Sequence, residues 1–191
     1  MVAKDSETYL RDGDPIPPFE LPGTDGERHA LLDVDTDLVL VVFTCNHCPY
    51  AQAKHPLLNR VAAEYDEVTV IGINPNDEAA YPDDSYDRMV EEVEAGTIDY
   101  DLYLRDHSQD VVRAYQAVCT PDPFLAERVD GRYELRYQGR LDDALNPDDE
   151  ATEVYITEAI DALLAGESVD LEWAPSRGCS IKWRENPPIP A

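Results

Sequence analysis

A continuous apolar run that is directly followed by two cysteines constrains the fold of this chain more than any other feature. The run "LVLVVF" extends from Leu38 to Phe43 and is rich in β-branched residues, which is typical of a strand buried on both faces of a sheet. The next residues, "TCNHCPY", place Cys45 and Cys48 on either side of an Asn-His pair. A helical pattern begins at Pro49, so the cysteines lie between a buried strand and a helix.

The rest of the chain alternates between predicted strands and helices. Five further elements are expected, in chain order: a strand at 68–74, a helix near 84–95, a strand at 101–104, a helix from about 108 and a helix at 150–165. Asp130-Gly131 is a strong hairpin signal between two more strands, and Pro56 should kink the helix that follows the cysteines. This order predicts an α/β fold with a central mixed sheet, parallel βαβ units and helices on both faces.

The chain of 191 residues shows no internal repeat and no linker, so we expect one domain. Its core should span about residues 13–165. An N-terminal extension rich in Pro, Gly and Asp precedes that core, and an irregular tail at 166–191 follows it.

The charge of the chain excludes several classes of partner. Its net charge is −26, with 41 acidic residues spread through most of its length, whereas a nucleic-acid binder needs a basic face. No stretch approaches the ~20 apolar residues of a membrane span, and the N-terminus lacks the apolar core of a secretory signal. We therefore predict a cytoplasmic protein with no nucleic-acid or membrane partner.

The basic residues are also unusual, because three lysines stand against twelve arginines. A uniformly acidic and lysine-poor surface resembles that of cytoplasmic proteins from extreme halophiles, in which high salt screens the self-repulsion. This pattern concerns habitat and does not bear on chemistry.

The cysteine content argues against a disulfide scaffold. Four cysteines in a chain of this length, without a secretory signal, do not fit the small, cysteine-dense domains that disulfides stabilise outside the cell. A disulfide in this chain is therefore expected to be catalytic.

The spacing of Cys45 and Cys48 suits thiol chemistry. It places Cys45 at the start of the helix, where free amides and the helix dipole stabilise a thiolate, and it places Cys48 about one turn in, close enough to resolve a mixed disulfide. A protonated His47 would add positive charge beside the same sulfur. No acidic residue occurs between Leu38 and Ala63, which indicates an electropositive setting.

Two other interpretations of the cysteine pair remain open. The pair could be half of a zinc site that His47 or His55 completes, although Cys119 and Cys179 supply no second ligand pair. The cysteines could also be inert buried side chains.

Several segments together resemble the thioredoxin superfamily, and in particular its peroxiredoxin-like branch, the alkyl hydroperoxide reductase/thiol-specific antioxidant group. The similarity runs from about Gly13 to Asp143, and the tail extends it. The segments that carry it are "CNHCPY", "IGINPND", "YPDDS", "CTPDPF", "YQGRLDD" and "GCSIKW".

The resemblance implies a thioredoxin-like fold and a role for each residue of the motif. Cys45 would be the nucleophile and Cys48 the resolving cysteine, while Pro121, after Thr120, would be a cis-proline that faces them. It also implies an external thiol reductant, a disulfide or peroxide substrate, and no prosthetic group or metal.

One departure from the branch favours disulfide exchange over peroxide reduction. Peroxiredoxins place Pro-x-x-x-Thr-x-x-Cys around the reactive cysteine, and neither cysteine of this pair fits that pattern. Thr44 is adjacent to Cys45 and could still hydrogen-bond a bound peroxide. Arg140 is the arginine to test for stabilising the thiolate, against the alternative that it lies on the surface.

The two remaining cysteines are candidates for additional redox thiols. Cys119 precedes Thr120, so it should lie near the dithiol, with buried packing as the alternative. Cys179 lies in "RGCSIKWR", a basic stretch that should lower its pKa and suit a resolving or regulatory thiol. The alternative is a tail that docks on acidic surface with Trp183 as its anchor.

These observations predict an enzyme, a thiol-disulfide oxidoreductase or a peroxiredoxin-like thiol peroxidase, that cycles its Cys45–Cys48 dithiol. The competing hypothesis is a non-enzymatic module on the same fold that binds metal or serves as a scaffold.

Overall fold

The computed structural model describes residues 3–7 and 9–185. The strands are β1 (Ala3–Asp5), β2 (Glu20–Pro22), β3 (Arg28–Ala30), β4 (Leu38–Phe43), β5 (Val68–Asn74), β6 (Leu102–Arg105), β7 (Cys119–Thr120), β8 (Asp122–Val129), β9 (Arg132–Gln138) and β10 (Arg177–Ser180). The helices are α1 (Pro49–Gln52), α2 (His55–Glu64), α3 (Tyr86–Glu94), α4 (Asp110–Ala114) and α5 (Tyr155–Leu164). Single 3₁₀ turns lie at Leu31–Asp33 and Pro82–Asp84.

A five-stranded sheet in the order β6-β5-β4-β8-β9 forms the centre of the molecule. Strand β4 pairs in parallel with β5, and β5 pairs in parallel with β6, whereas β8 and β9 form an antiparallel hairpin on the other side of β4. The predicted mixed sheet is therefore confirmed.

Strand β4 faces two hydrophobic cores, because its side chains alternate between the faces of the sheet. Val39, Val41 and Phe43 join the core on one face. The intervening residues, of which Leu40 and Val42 are fully buried, join the core on the other. This double burial explains why the strand appears in the sequence as an unbroken apolar run.

Helices cover both faces, as predicted. Helices α2, α3 and α5 contribute to the core on one face, and α4 contributes to the core on the other. The longest described helices, α2 and α5, have 10 residues each, so no helix in the described part of the chain is long enough to cross a membrane.

The helix after the cysteines differs from its prediction. A single kinked helix was expected, but the chain forms the four-residue α1 and then begins α2 anew, with Pro56 in its first turn. Proline is tolerated in a first turn because the amide hydrogen that it lacks has no partner there. Pro56 therefore marks a helix start instead of a kink.

A second, small sheet joins both ends of the described chain. We call it the terminal sheet; its strands are ordered β1-β10-β7, and both pairings are antiparallel. Cys179 in β10 lies opposite Ala3 on one side and Thr120 on the other. The tail was expected to be irregular, and most of its described part is, but Arg177–Ser180 forms this strand.

Candidate redox site

Three cysteine side chains pack together with Ala51 beyond the end of β4. Cys48 and Cys179 form a disulfide, and Cys45 is a free, fully buried thiol. The Cα atoms of Cys48 and Cys179 are 6.2 Å apart, within the ordinary range for a disulfide. The disulfide of this site thus involves the tail cysteine, and not the Cys45–Cys48 pair that the sequence suggested.

The end of β4 and the start of α1 position the first two cysteines. The amide of Thr44 donates to the carbonyl of Ile73, which extends the ladder between β4 and β5 by one residue. Cys48 is the N-cap residue of α1. The prediction that Cys45 begins the helix and that Cys48 lies one turn inside it was therefore wrong, because the helix begins only after Cys48. The amide of Cys48 nevertheless hydrogen-bonds the sulfur of Cys45.

The segment before Pro121 faces the two cysteines. The Thr120–Pro121 peptide bond is cis, as the family resemblance implied. The Thr120 hydroxyl lies 3.2 Å from the sulfur of Cys45, and the Thr120 carbonyl oxygen lies 3.5 Å from the sulfur of Cys48. Thr120 therefore contacts both cysteines of the pair.

Burial determines the protonation state of Cys45 in this arrangement. Loss of water is the main cause that raises the pKa of Cys45, and the Asp84 carboxylate is the second. The resulting pKa is about 12, although the Thr120 hydroxyl, the Cys48 amide and Lys182 oppose the increase. The acid-free stretch around the cysteines predicted an electropositive setting. That prediction was wrong for Cys45, because Asp84 reaches the site from a later loop.

Asp84 is the centre of a buried polar network that the sequence did not reveal. It accepts hydrogen bonds from the Asn46 amide and the Asn76 side chain, each at 2.8 Å, and from Nδ1 of His47. Burial alone would raise the pKa of Asp84, but these hydrogen bonds outweigh it and hold the pKa below its ordinary value. Asp84 belongs to "YPDDS", one of the segments that carry the family resemblance. The resemblance did not assign a role to this aspartate.

The network fixes the orientation of His47. Its ring bonds Asp84 on one edge and stacks on Tyr81, with the ring centroids 4.8 Å apart. The side chain of His47 is only 9% exposed. His47 is therefore held beside the site by the loop that carries Asp84, instead of being free in solvent.

A second histidine supports the backbone of the site. His55, in the first turn of α2, is hydrogen-bonded to the backbone of Cys45, and burial lowers the pKa of this histidine to about 4. The residue is 2% exposed, and the centre of its ring lies 6.2 Å from that of Tyr100. His55 is neutral at pH 7, so it acts as a packed hydrogen-bonding group.

Two of the predicted supporting residues, Thr44 and Arg140, have very different surroundings. The Thr44 hydroxyl is buried without a hydrogen-bond partner among the described residues. The Arg140 guanidinium donates from Nε to the carbonyl of Pro175 at 2.8 Å, and the Arg140 amide donates to the carbonyl of Ala174. Arg140 thus ties down the tail, and the cation that favours the Cys45 thiolate is Lys182.

Cys119 does not share the cluster of the other three cysteines. Successive side chains of a strand point to opposite faces, so the contact of Thr120 with Cys45 directs Cys119 away from it. The Cys119 sulfur lies 3.8 Å from the carbonyl of Pro121. Burial, followed by Asp122, raises the pKa of this thiol well above its usual range. The structure therefore favours the buried-packing interpretation of Cys119.

The fold and the cysteine cluster together are those of a thiol oxidoreductase. Residues 13–137 match the model of the AhpC/TSA family. The chain belongs to the AhpC/TSA family. Its mixed central sheet was predicted from the sequence, and its cis-proline was implied by the family resemblance.

Two solved structures are similar over nearly the whole chain. A protein from Geobacillus kaustophilus, described as an uncharacterized conserved protein, is 36% identical with a TM-score of 0.89, over 97% of this chain and 98% of its own. A hypothetical protein from Sinorhizobium meliloti is 35% identical with a TM-score of 0.87, over 96% of this chain and 100% of its own.

A third structure shows the fold at greater distance. A Chlorobium tepidum protein, described as a thiol:disulfide interchange protein DsbE, is 19% identical with a TM-score of 0.59, over 83% of this chain and 98% of its own. In the comparison with curated proteins, none matches this sequence.

Proposed function

We propose that this protein is a thiol-disulfide oxidoreductase in which Cys45 is the nucleophile and Cys48 the resolving cysteine. The observation that carries the proposal is the cluster of three cysteine side chains at one end of β4, in which one pair is a disulfide and Cys45 is a neighbouring thiol. A thiol packed beside a disulfide is the arrangement from which thiol-disulfide exchange proceeds.

The reaction has two exchange steps. In the first, the Cys45 thiolate attacks one sulfur of a substrate disulfide, and the other substrate sulfur leaves as a thiolate and takes up a proton. In the second, the Cys48 thiolate attacks the Cys45 sulfur of the mixed disulfide and releases the second substrate thiol. The substrate is reduced by two electrons and the protein is oxidised, so an external thiol reductant must restore it; no prosthetic group takes part.

The neighbours of Cys45 explain how its reactivity is controlled. With its pKa raised to about 12 by burial, Cys45 is a thiol in the closed arrangement, so formation of the nucleophile requires access to water. Once water relieves the burial, the Thr120 hydroxyl, the Cys48 amide and Lys182 are the groups that favour the thiolate. His47, fixed by Asp84, is proposed to tune the same site.

Disulfides are the preferred substrate class, and peroxides are the second. The chain lacks the peroxiredoxin sequence pattern around Cys45, which lowers the expectation of peroxidase activity. The hydroxyl of Thr44, which has no hydrogen-bond partner in the described part of the chain, is the group that we propose would bind a peroxide oxygen. A reducing, cytoplasmic setting and a halophilic source remain predictions from composition.

A metal-binding function is the competing proposal, and one observation favours it. Cys45, His47 and Asp84 each offer one ligand atom, and these atoms lie within 4.8 Å of one another. Against it, both carboxylate oxygens of Asp84 already accept hydrogen bonds. Stoichiometric zinc in the purified protein, with no thiol oxidation, would favour metal binding.

The test follows the thiols of the reduced protein. The protein is reduced, freed of reductant and mixed with one equivalent of oxidised glutathione, and its thiols are counted by alkylation and mass spectrometry. We expect the loss of two protein thiols and the release of two equivalents of glutathione. Cys45→Ala should slow this reaction at least ~100-fold, because the thiolate is the attacking species in exchange.

Cys119→Ala is the matched control, since its side chain points away from the cluster; it should react like the wild type. An equal rate in Cys45→Ala and the wild type would contradict the proposal. A parallel reaction with hydrogen peroxide measures the second substrate class, and we expect it to be slower than the reaction with oxidised glutathione.

A further inference from the structure

We propose that Cys179 is a third catalytic thiol, and that the disulfide formed in the reaction moves from Cys45–Cys48 to Cys48–Cys179. This inference rests on the proposed function and extends it. Its central observation is that Cys48 is shared: it follows Cys45 by three residues in sequence, and it is bonded to Cys179 of the tail. Cys45 packs in the same cluster as that disulfide.

Backbone pairing holds Cys179 in reach of Cys48 independently of the disulfide. Strand β10 lies between β1 and β7, so Cys179 is opposite Ala3 on one side and Thr120 on the other. Thr120 is also the residue that contacts both Cys45 and Cys48. The strand that carries the third cysteine is therefore paired with the strand that borders the other two.

The fit of β10 against β7 depends on a glycine next to Cys179. A Cβ atom on Gly178 would approach the carbonyl oxygen of Thr120 to less than the closest contact that real side chains make. Only glycine permits this approach without a shift of the backbone. Gly178 thus allows the tail to pack directly against the segment that precedes Pro121.

Polar contacts on both sides of β10 fasten the tail further. Before the strand, the Ser176 hydroxyl donates to the carbonyl of Pro121 at 2.6 Å. After it, the Lys182 amide donates to the side chain of Asn76 at 2.8 Å, and the Gln109 side chain donates to the carbonyl of Lys182 at 2.9 Å. Cys179 is therefore presented to Cys48 at a high effective concentration.

The exchange step needs no further oxidant. Once substrate turnover has produced the Cys45–Cys48 disulfide, the Cys179 thiolate attacks the sulfur of Cys48; the Cys48–Cys179 bond forms, the Cys45–Cys48 bond breaks, and Cys45 leaves as a thiolate that takes up a proton. The reverse step, attack of Cys45 on Cys48, regenerates the original disulfide and frees the tail. The number of electrons on the protein is unchanged in both directions.

The consequence is that the oxidised protein has a closed form, in which Cys45 is buried and β10 covers the edge of β7. A substrate disulfide cannot reach Cys45 while its sulfur is fully buried, so turnover requires reduction of the Cys48–Cys179 bond or its exchange with Cys45, and then displacement of the tail. The structure thereby assigns Cys179 a place in the cycle that the Cys45–Cys48 pair alone does not explain.

Time-resolved disulfide mapping of the full-length protein tests this order of events. The reduced protein is mixed with oxidised glutathione, quenched with acid at intervals, alkylated and digested for mass spectrometry. We expect Cys45–Cys48 to appear first and to convert to Cys48–Cys179, which should exceed it about tenfold at equilibrium. In glutathione redox buffers, Cys179→Ala should then have a midpoint potential about 30 mV less negative than the wild type, the equivalent of that tenfold preference.

Cys119→Ala serves as the matched control and should keep both the order and the midpoint potential. Hydrogen exchange of the amides of residues 177–180 measures independently how often β10 opens, and we expect about tenfold faster exchange in Cys179→Ala. Appearance of Cys48–Cys179 in the wild type without earlier Cys45–Cys48 would overturn the relay, as would an unchanged potential in Cys179→Ala. The proposed function would survive those results, since it fails only if Cys45 is not required for the reaction with glutathione.

Discussion

The central sheet and the terminal sheet are built from different interactions. Strand β4 of the central sheet is buried along its whole length, with side chains in two hydrophobic cores. The terminal sheet consists of strands of three, four and two residues, and its outer strand β1 is exposed. Backbone pairing, a few polar contacts and one disulfide hold it together.

This difference matches the different tasks of the two sheets. Hydrophobic burial stabilises the central sheet as a rigid support, because the side chains of β4 pack into the cores on both of its faces. In the proposed cycle the terminal sheet covers Cys45 and has to open, and segments that open are held by few apolar contacts. Under that proposal, the terminal sheet is the place where redox chemistry changes the structure.

The largest expected effect comes from breaking the central sheet. Phe43→Ala removes a fully buried ring that contacts Tyr115 and Phe124 edge-on, with ring centroids at 5.2 and 5.9 Å. We expect a loss of about 3–5 kcal/mol in the free energy of unfolding, measured in urea, because a cavity remains where the ring was. Leu32→Ala is the control: Leu32 is 63% exposed, and its truncation should change the free energy by less than about 0.5 kcal/mol. Equal losses in the two variants would contradict the assignment of Phe43 to the core.

The central sheet could be predicted because local sequence determines it. Each of its buried strands β4 and β5 is an apolar run, and the hairpin β8–β9 turns at Asp130-Gly131. Both turn residues have positive φ, at 50° and 81°, which is the requirement of the tight turn that Asp-Gly signals. These features depend on neighbours in sequence, so a single sequence reveals them.

The arrangement of the site could not be predicted in the same way, because it depends on contacts between distant segments. Nothing in the short strands β7 and β10 shows that they pair, and the acid-free stretch around Cys45 gave no sign of Asp84. The sequence did identify Cys45, Cys48 and Cys179 as candidates. It could not show that Cys48 bonds to Cys179, since that bond requires the tail to fold back onto the segment before Pro121.

The second effect in size is a loss of stability in acid, and it tests the buried histidine of α2 that supports the backbone of the site. His55 has a pKa of about 4 in the folded protein, against about 6.5 when unfolded. The unfolded chain therefore binds the proton more readily, so stability is lost as the pH falls from about 6.5 towards 4. Between pH 7 and pH 4.5 we expect His55 to account for a loss of about 2–3 kcal/mol in the free energy of unfolding.

Urea unfolding of the wild type and of His55→Gln at the two pH values measures this contribution, because the carboxylates titrate in both proteins. The loss between pH 7 and pH 4.5 should be smaller in His55→Gln by about 2–3 kcal/mol. His107→Gln is the matched control: the side chain of His107 is 53% exposed, and its variant should follow the wild type. A pH dependence that is identical in all three proteins would show that His55 is not a buried neutral group.

Gly178→Ala is expected to cause the smallest change in overall stability. It is also expected to affect the terminal sheet while leaving the central sheet intact. The added Cβ would clash with the Thr120 carbonyl, so β10 should no longer lie against β7, and the yield of the Cys48–Cys179 disulfide after oxidation by glutathione should fall at least ~10-fold because its effective concentration is lost. In the reduced protein, the free energy of unfolding should change by less than about 1 kcal/mol, since the central sheet does not depend on the tail.

Arg177→Ala, at an exposed position of the same strand, is the control and should keep the disulfide. If Gly178→Ala instead lowered the stability of the reduced protein as much as Phe43→Ala does, the terminal sheet would be part of the folding core, and the distinction between a rigid support and an opening cover would be wrong.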